Sequence, residues 1–436
     1  MKKEYRFAYG SGSVTIPLEE SQVRAELFGN EIPAIPDIRA AVRKSLEEPI
    51  GCAPLRDCVR AGDRVTLIIS DMSRFWMRQD LVVPHLVAYL LEDCGLPPEA
   101  VTILVANGTH PGGGEAELRR LVTDAVFDRV RVVNHDCRTA DLVRLGTTSF
   151  GTEVAVNGVA ARADLCLCLG AATYHVMAGF GGGRKSILPG VSGEATIRQN
   201  HALSLDPDAL RSNPLIGNGR TEDNPLNLDM LEAAGMMKKL FMVNLVMNAA
   251  EQLCAVFSGH YRRSWERACR EVERVYQVPI RERTDVVIAG CGGYPRDMSL
   301  YQGTKAIDNV EPALKPGGTL ILVIEAREGG GPPEYFGWSR SLRDGCMEKR
   351  LREAFTVAGY VFFLNCEQAQ RYRVMLLSEL DPAETAPMGI ETYHDVPSLL
   401  AAAALEGKSI TVVPGAGSVV PVLMGDPVPP DPSPSP

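Results

Sequence analysis

Short, wholly apolar runs alternate along this chain with longer runs at helical spacing. Residues 64–69 (Arg64-Val65-Thr66-Leu67-Ile68-Ile69) and 101–106 are apolar and rich in β-branched side chains, as expected of strands buried on both faces of a parallel sheet. Residues 163–169, 240–247 and 285–290 repeat the pattern. Residues 13–17, 130–134, 153–156, 319–324, 360–364, 374–378 and 409–413 read as further strands. Between them, apolar positions predict helices over 38–47, 81–93, 115–123, 197–203, 228–234, 261–276 and 397–405. Strand and helix in alternation define an α/β chain with largely parallel sheets. The polar junction at 279–284 divides it into an N-terminal α/β domain (1–278) and a C-terminal one (285–424). An active-site crevice is expected between them. Residues 425–436 form a Pro-rich tail expected to be disordered.

Three of the strands end in segments that carry chemistry. Ile69 runs into Ser70-Asp71-Met72-Ser73-Arg74, and Ala106 into Asn107-Gly108-Thr109-His110-Pro111. Leu169 leads to Tyr174-His175-Val176-Met177-Ala178-Gly179-Phe180-Gly181-Gly182-Gly183-Arg184-Lys185-Ser186. In open α/β sheets ligands bind beyond the carboxyl ends of the strands, so these segments are expected to converge. Clustered glycines let a backbone approach a ligand closely, and successive N–H groups of such a loop can cradle an anion. Arg184 and Lys185 add cations, and His175 and His201 flank them. A phosphorylated cofactor fits this setting. A Walker-type loop is the competitor, but Arg184 stands where that motif needs glycine, and Pro189-Gly190 stops the helix that should follow.

Of seven histidines, His110, His175 and His201 stand in or near such segments. Two can serve as acid and base and one as a metal ligand, since imidazole titrates near neutrality and ligates metals when neutral. Bulk properties narrow the class further. A net charge of −9 disfavours a nucleic-acid partner. No apolar run approaches the ~18 residues of a membrane span, and the charged start Met1-Lys2-Lys3-Glu4-Tyr5-Arg6 lacks an apolar signal core, so a cytoplasmic location is expected. Eleven cysteines without a C-x-x-C pair do not make a disulfide framework; Cys166 and Cys168 share one face of a strand and read as packing.

On these residues the chain resembles the lactate racemase-like family, whose members racemise or epimerise 2-hydroxy acids with a nickel-pincer nucleotide. The resemblance rests on Ser70 to Arg74, on Gly108-Thr109-His110, on His175 through Gly190, and on His201. In the C-terminal domain it rests on Gly292-Gly293-Tyr294-Pro295-Arg296-Asp297 and on Tyr301-Gln302 with Lys305. It implies Lys185 as the covalent anchor of the pyridinium cofactor and His201 as the one protein ligand to nickel. His110 and His175 become paired acid/base groups on opposite faces of the substrate. Arg74, Gln302 and Lys305 become the groups that hold its carboxylate and oxygen. Asp71, Ser73, Arg74, Gly182, Gly183 and Arg184 are expected at the cofactor. Racemisation would proceed by hydride leaving and returning to Cα, which avoids removal of a weakly acidic proton. The partners implied are a small 2-hydroxy acid and the enzymes that build the cofactor, with no nucleic acid and no membrane; monomer and homodimer stay open. Phe75-Trp76, Pro111-Gly112-Gly113-Gly114, Arg184, Tyr174 and Val176-Met177 depart from the lactate enzyme's pattern, so the particular 2-hydroxy acid is unassigned. The rival readings are an ATP-dependent kinase or ligase using the Gly-rich loop, and a non-catalytic binding protein for an anionic metabolite.

Overall fold

The computed structural model describes residues 1–425; the expected Pro-rich tail, Gly425 apart, lies outside them. The chain divides into two compact units. One comprises residues 31–275, the other residues 1–30 together with those from 276 onward. The first thirty residues therefore lie outside the N-terminal domain expected over 1–278. The cause is pairing. Val23–Glu26 adds in parallel to Ile410–Val413 at the edge of the C-terminal sheet. The hairpin of Lys2–Tyr9 and Gly12–Glu19 buries Tyr5, Phe7, Ile16 and Leu18 in the same core as Val286, Ile321 and Met375. No helix among the described residues is long and apolar enough to cross a membrane.

The unit of residues 31–275 is built on a six-stranded sheet. Its order is Leu253–Gly259, Leu240–Met247, Leu165–Ala171, Val65–Ser70, Val101–Ala106, Arg131–Asn134. All neighbours are parallel except the first pair, which is antiparallel. One face carries Leu67, Ile69, Ile103, Val105, Leu167 and Leu169 into a core shared with Val42, Leu46, Val83 and Leu86 from the covering helices. Burial of each such side chain stabilises the fold by about 1.5–3 kcal/mol. The helix Ile38–Glu47 shows how locally this is written: Asp37 caps the N–H of Ala40, and Val42 and Leu46, one turn apart, are its buried residues. Cys166 and Cys168 are buried as expected, and burial alone pushes the Cys166 thiol up to about 12, so it stays protonated and inert.

The other unit holds a second six-stranded sheet, wholly parallel, in the order Ile390–Tyr393, Arg373–Leu377, Leu314–Val323, Thr284–Gly290, Ile410–Val413, Val23–Glu26. One expectation fails here. Residues 360–364 are not a strand but the middle of the helix Val357–Arg371, which Thr356 caps by accepting from the Gly359 N–H. Tyr360, Val361, Phe362 and Phe363 are all buried, and a helix buried on most of its surface loses the 3.6-residue signature. The helix expected over 81–93 is likewise broken into a 3₁₀ turn, the α-helix Val83–Ala88 and a π turn at Tyr89–Asp93.

Candidate active site

Three adjacent parallel strands, Leu165–Ala171, Val65–Ser70 and Val101–Ala106, end on the same edge of the first sheet. The segments that follow them meet there: the Gly108 N–H donates to the Gly190 carbonyl at 3.0 Å, tying the loop of His110 to the loop of Lys185.

After Ser70 the chain turns through a 3₁₀ segment, Met72–Met77, which brings Asp71, Ser73 and Arg74 together. The Nδ1–H of His110 donates to Asp71 Oδ2 at 2.5 Å, and the Ser73 hydroxyl donates to Asp71 Oδ1 at 2.6 Å. Arg74 Nη1 donates to Ser73 Oγ at 3.0 Å. Burial drives the Asp71 carboxyl up, but hydrogen bonds from His110 and Ser73 outweigh it and hold the group below the usual range, so it is ionised at neutral pH. A carboxylate on Nδ1 leaves Nε2 as the nitrogen through which His110 exchanges a proton.

His175 is placed by a two-residue antiparallel bridge, Tyr174 against Phe180 and His175 against Gly179, with the two aromatic rings stacked at 4.9 Å. Its Nδ1 accepts from the N–H groups of Met177 (3.1 Å) and Ala178 (3.2 Å), and its other ring nitrogen, Nε2, faces the loop lysine. That nitrogen lies 2.8 Å from Lys185 Nζ.

His201 sits on the helix Glu194–Ala202, which is pinned by Asn200: its Nδ2 reaches Asp229 Oδ2 at 2.7 Å, and Thr152 donates to the same oxygen at 2.8 Å. His201 is buried, and its Nδ1–H donates to the Ile197 carbonyl at 2.9 Å. Burial, with the Lys185 charge second, pulls its pKa to about 4, so the ring is neutral at physiological pH with its lone pair on Nε2. This is the form a metal ligand takes, oriented by a carbonyl on its other nitrogen. Among the described residues no group of three His, Cys, Asp or Glu side chains could hold a metal ion.

Arg184 and the loop glycines have packing duties within the protein that the sequence does not announce. Arg184 is turned inward. It is fully buried, stacked 3.8 Å over the ring of Trp265, and bonded to the carbonyls of Ala178, Gly181 and Gly182 and to Asn227 Oδ1. Burial pulls its pKa down to about 9, which still leaves it charged at neutral pH. Gly182 and Gly183 have φ of 68° and 52°. A side chain on Gly182 would meet the Ala171 backbone at 2.9 Å, and one on Gly183 the Trp265 ring at 2.6 Å. Close packing against protein already requires both glycines, whatever a ligand demands. Trp265, Asn227 and Asn224 carry no motif that would mark them in the sequence; Asn224 caps its helix, while its Nδ2 also holds the Met177 carbonyl. The loop is not a Walker loop: Gly183–Ser186 is a single 3₁₀ turn, and the next helix begins only at Glu194.

Gln302 and Lys305 belong to the other unit, on the consecutive helices Leu300–Gly303 and Lys305–Val310. Ser299 caps the first, and Lys305 Nζ donates to Gln302 Oε1 at 2.5 Å beside the Tyr301 ring.

Residues 9–212 match the family model of the lactate racemase N-terminal domain, and residues 280–420 that of the C-terminal domain. The lactate racemase of Thermoanaerobacterium thermosaccharolyticum is 31% identical over 308 residues, which are 70% of this chain and 69% of that protein. The lactate racemase of Lactiplantibacillus plantarum is 31% identical over 296 residues, 68% of each chain. The structure of the lactate racemase apoprotein from T. thermosaccharolyticum superposes with a TM-score of 0.86 at 25% identity, covering 96% of this chain and all of that one. A protein of Thermotoga maritima shares the fold at a TM-score of 0.63 and 20% identity, over 91% of this chain and all of that one. Sheet, strand-end histidines and loop lysine thus belong to an isomerase. The chain is a member of the lactate racemase family.

Proposed function

We propose that this enzyme racemises or epimerises a 2-hydroxy acid with a nickel-pincer nucleotide held covalently at Lys185. The observation that carries the reading is the pairing of Lys185 Nζ with His175 Nε2 at 2.8 Å, in a loop whose neighbour His201 is buried and neutral. The residues fit such a group: an amine for attachment, and close enough to influence it a single imidazole in the metal-binding form. When bound, the group supplies an acceptor and donor for hydride at the substrate Cα. Lys185 would anchor it, His201 would ligate nickel, and Gly182 and Gly183 would shape the loop that carries Lys185.

The chain's own residues handle protons and orientation. His110, with Nδ1 committed to Asp71, takes or returns the hydroxyl proton at Nε2. His175 is the paired acid/base group, and the nitrogen through which it exchanges a proton is Nε2, which faces Lys185. Two bases on separate strand-end loops let each enantiomer meet one of them. Asp71 and Ser73 act through His110. Arg74, Gln302 and Lys305 bind the carboxylate and oxygen of the substrate, with Arg74 suited to two-point recognition of a carboxylate. The enzymes that build the cofactor are the implied partners, and the cytoplasm is the compartment expected from the sequence.

The test is metal analysis and intact mass of protein produced together with those enzymes. Nickel and a mass adduct are expected in the wild type, and Lys185→Ala should lose the adduct while remaining folded. An adduct of unchanged mass in that variant would refute the assignment.

A further inference from the structure

Arg184 is the most deeply committed cation of this unit, and its commitment is to the loop that carries Lys185. Its guanidinium is fully buried and its acceptors are neutral: Ala178 O at 2.7 Å, Asn227 Oδ1 at 2.8 Å, Gly182 O at 3.3 Å and Gly181 O at 3.4 Å. Trp265 lies flat beneath it and adds a bond of its own, Nε1–H to the same Gly181 carbonyl at 2.9 Å. Asn227 is itself fixed, its Nδ2 donating to the Thr221 carbonyl at 2.7 Å. Burying a cation against neutral acceptors costs free energy that apolar packing would not, so the arrangement must be offset by many simultaneous bonds.

We propose that Arg184 is a positioning residue for Lys185: locked inward against Trp265, it sets the rotation of the Gly183–Ser186 turn and so the side from which the Lys185 amine leaves the loop. This rests on the reading of Lys185 as the anchor given above. The geometry behind it is that of a 3₁₀ turn, where successive side chains diverge by about 120°. With residue 184 fixed inward, residue 185 must project away from Trp265, and there Nζ meets His175. The same bonds draw the carbonyls of residues 178, 181 and 182 inward, so the turn cannot rotate without breaking several of them together. A lysine at 184 could keep the charge but not the planar fork that reaches them.

The test uses the full chain with Arg184→Met, Arg184→Lys and Trp265→Phe. Each protein, without cofactor, is treated with the N-hydroxysuccinimide ester of acetic acid. Nζ attacks the ester carbonyl, an amide forms, N-hydroxysuccinimide leaves, and the amine proton passes to solvent. Peptide mass spectrometry reads the acetylation rate of Lys185 against that of Lys238, an exposed lysine of the same unit. Working well below each melting temperature, the ratio should shift by about tenfold in Arg184→Met, the scale of losing bonds to a charged group. Arg184→Lys should not restore it, and Trp265→Phe should shift it less in the same direction. A merely stabilising role would lower the melting temperature and leave the ratio alone. A ratio within about twofold of wild type in folded Arg184→Met overturns the proposal. If that variant does not fold, the same criterion applies to Trp265→Phe and Arg184→Lys. In a second arm the proteins are made with the cofactor-building enzymes and weighed intact. Loading of Arg184→Met at the wild-type level also overturns the proposal. A wild type without adduct overturns instead the reading of Lys185 as anchor, and leaves the acetylation ratio to decide the positioning role.

Discussion

Replacing Asp71 by asparagine isolates what the carboxylate does for His110, because the new side chain has the same shape and no charge. In the wild type the His110 Nδ1–H meets Asp71 Oδ2 at 2.5 Å, and Ser73 fixes the other oxygen at 2.6 Å. When Nε2 takes a proton, the imidazolium forms against that carboxylate. Two unit charges about 4 Å apart at an effective dielectric near 20 attract by about 4 kcal/mol. The His110 side chain is 51% exposed, so screening reduces this, and about 1–2 kcal/mol is a reasonable remainder. That is a loss of about five- to thirtyfold in the step that protonates His110. A second loss follows if the asparagine turns its amide nitrogen to the ring: Nδ1 then accepts, Nε2 carries the proton, and the base is in the wrong tautomer. Together the expected fall in kcat is about 10–10³-fold, bounded by the roughly 10²–10⁴ that a general acid–base group contributes.

The assay is racemisation of resolved 2-hydroxy acids, beginning with L-lactate, by cofactor-loaded protein, followed by chiral chromatography. KM should change little, since Asp71 reaches the substrate only through His110. Ser73→Ala should fall in the same direction by a smaller factor. Asp71→Asn with kcat within about threefold of wild type, at equal cofactor occupancy, would refute the dyad and return Asp71 to a place at the cofactor.

Three further outcomes are expected. His201 is neutral in the folded state to about pH 4, whereas an unfolded histidine protonates near 6.5, so the unfolded state binds more protons between these values and stability falls as pH drops through that window. The loss is at most about 3 kcal/mol, and the melting temperature of His201→Gln should be less sensitive between pH 6.5 and 4; equal sensitivity would mean that His201 is not the group responsible. The depressed Asp71 carboxyl acts in a separate window: its contribution is full above about pH 4 and is lost as pH falls through its lower folded pKa, so Asp71→Asn should flatten the melting profile only there, and a difference confined to pH 5–7 would contradict it. Substrate deuterated at Cα should keep its label through racemisation, because hydride transfer does not expose that hydrogen to water, and rapid exchange with solvent would point to a carbanion instead.

The central strands of the two sheets were legible because they are apolar on both faces. The Val65–Ser70, Val101–Ala106 and Thr284–Gly290 strands announce themselves as short β-branched runs. Where burial is equally complete but the element is helical, the same signal misleads: residues 360–364 could be any buried element, and only the Thr356 cap and the length of Val357–Arg371 distinguish a helix. The transfer of residues 1–30 to the C-terminal unit was hidden for another reason. Pairing of Val23–Glu26 with Ile410–Val413 spans nearly the whole chain, and no local pattern records a partner so distant.

The site divides along a similar line. That Asp71 meets His110 and His175 meets Lys185 was legible because each lies beyond the end of a predicted strand, and parallel topology carries such segments to one edge. What the rule cannot give is the direction in which a side chain points once it is there. Arg184 and Lys185 are adjacent cations in a glycine-rich loop, and in sequence both read as groups awaiting an anion. In the folded chain they face opposite duties: Arg184 is drawn inward by Trp265 and three carbonyls, and Lys185 is turned toward His175. The decision is made by an indole on a helix far along the chain, whose own spacing marks it only as core. The glycines follow the same logic. They are required where the loop packs on Ala171 and Trp265, so a glycine-rich segment beside a strand end can owe its composition to the protein beneath it as much as to the ligand above.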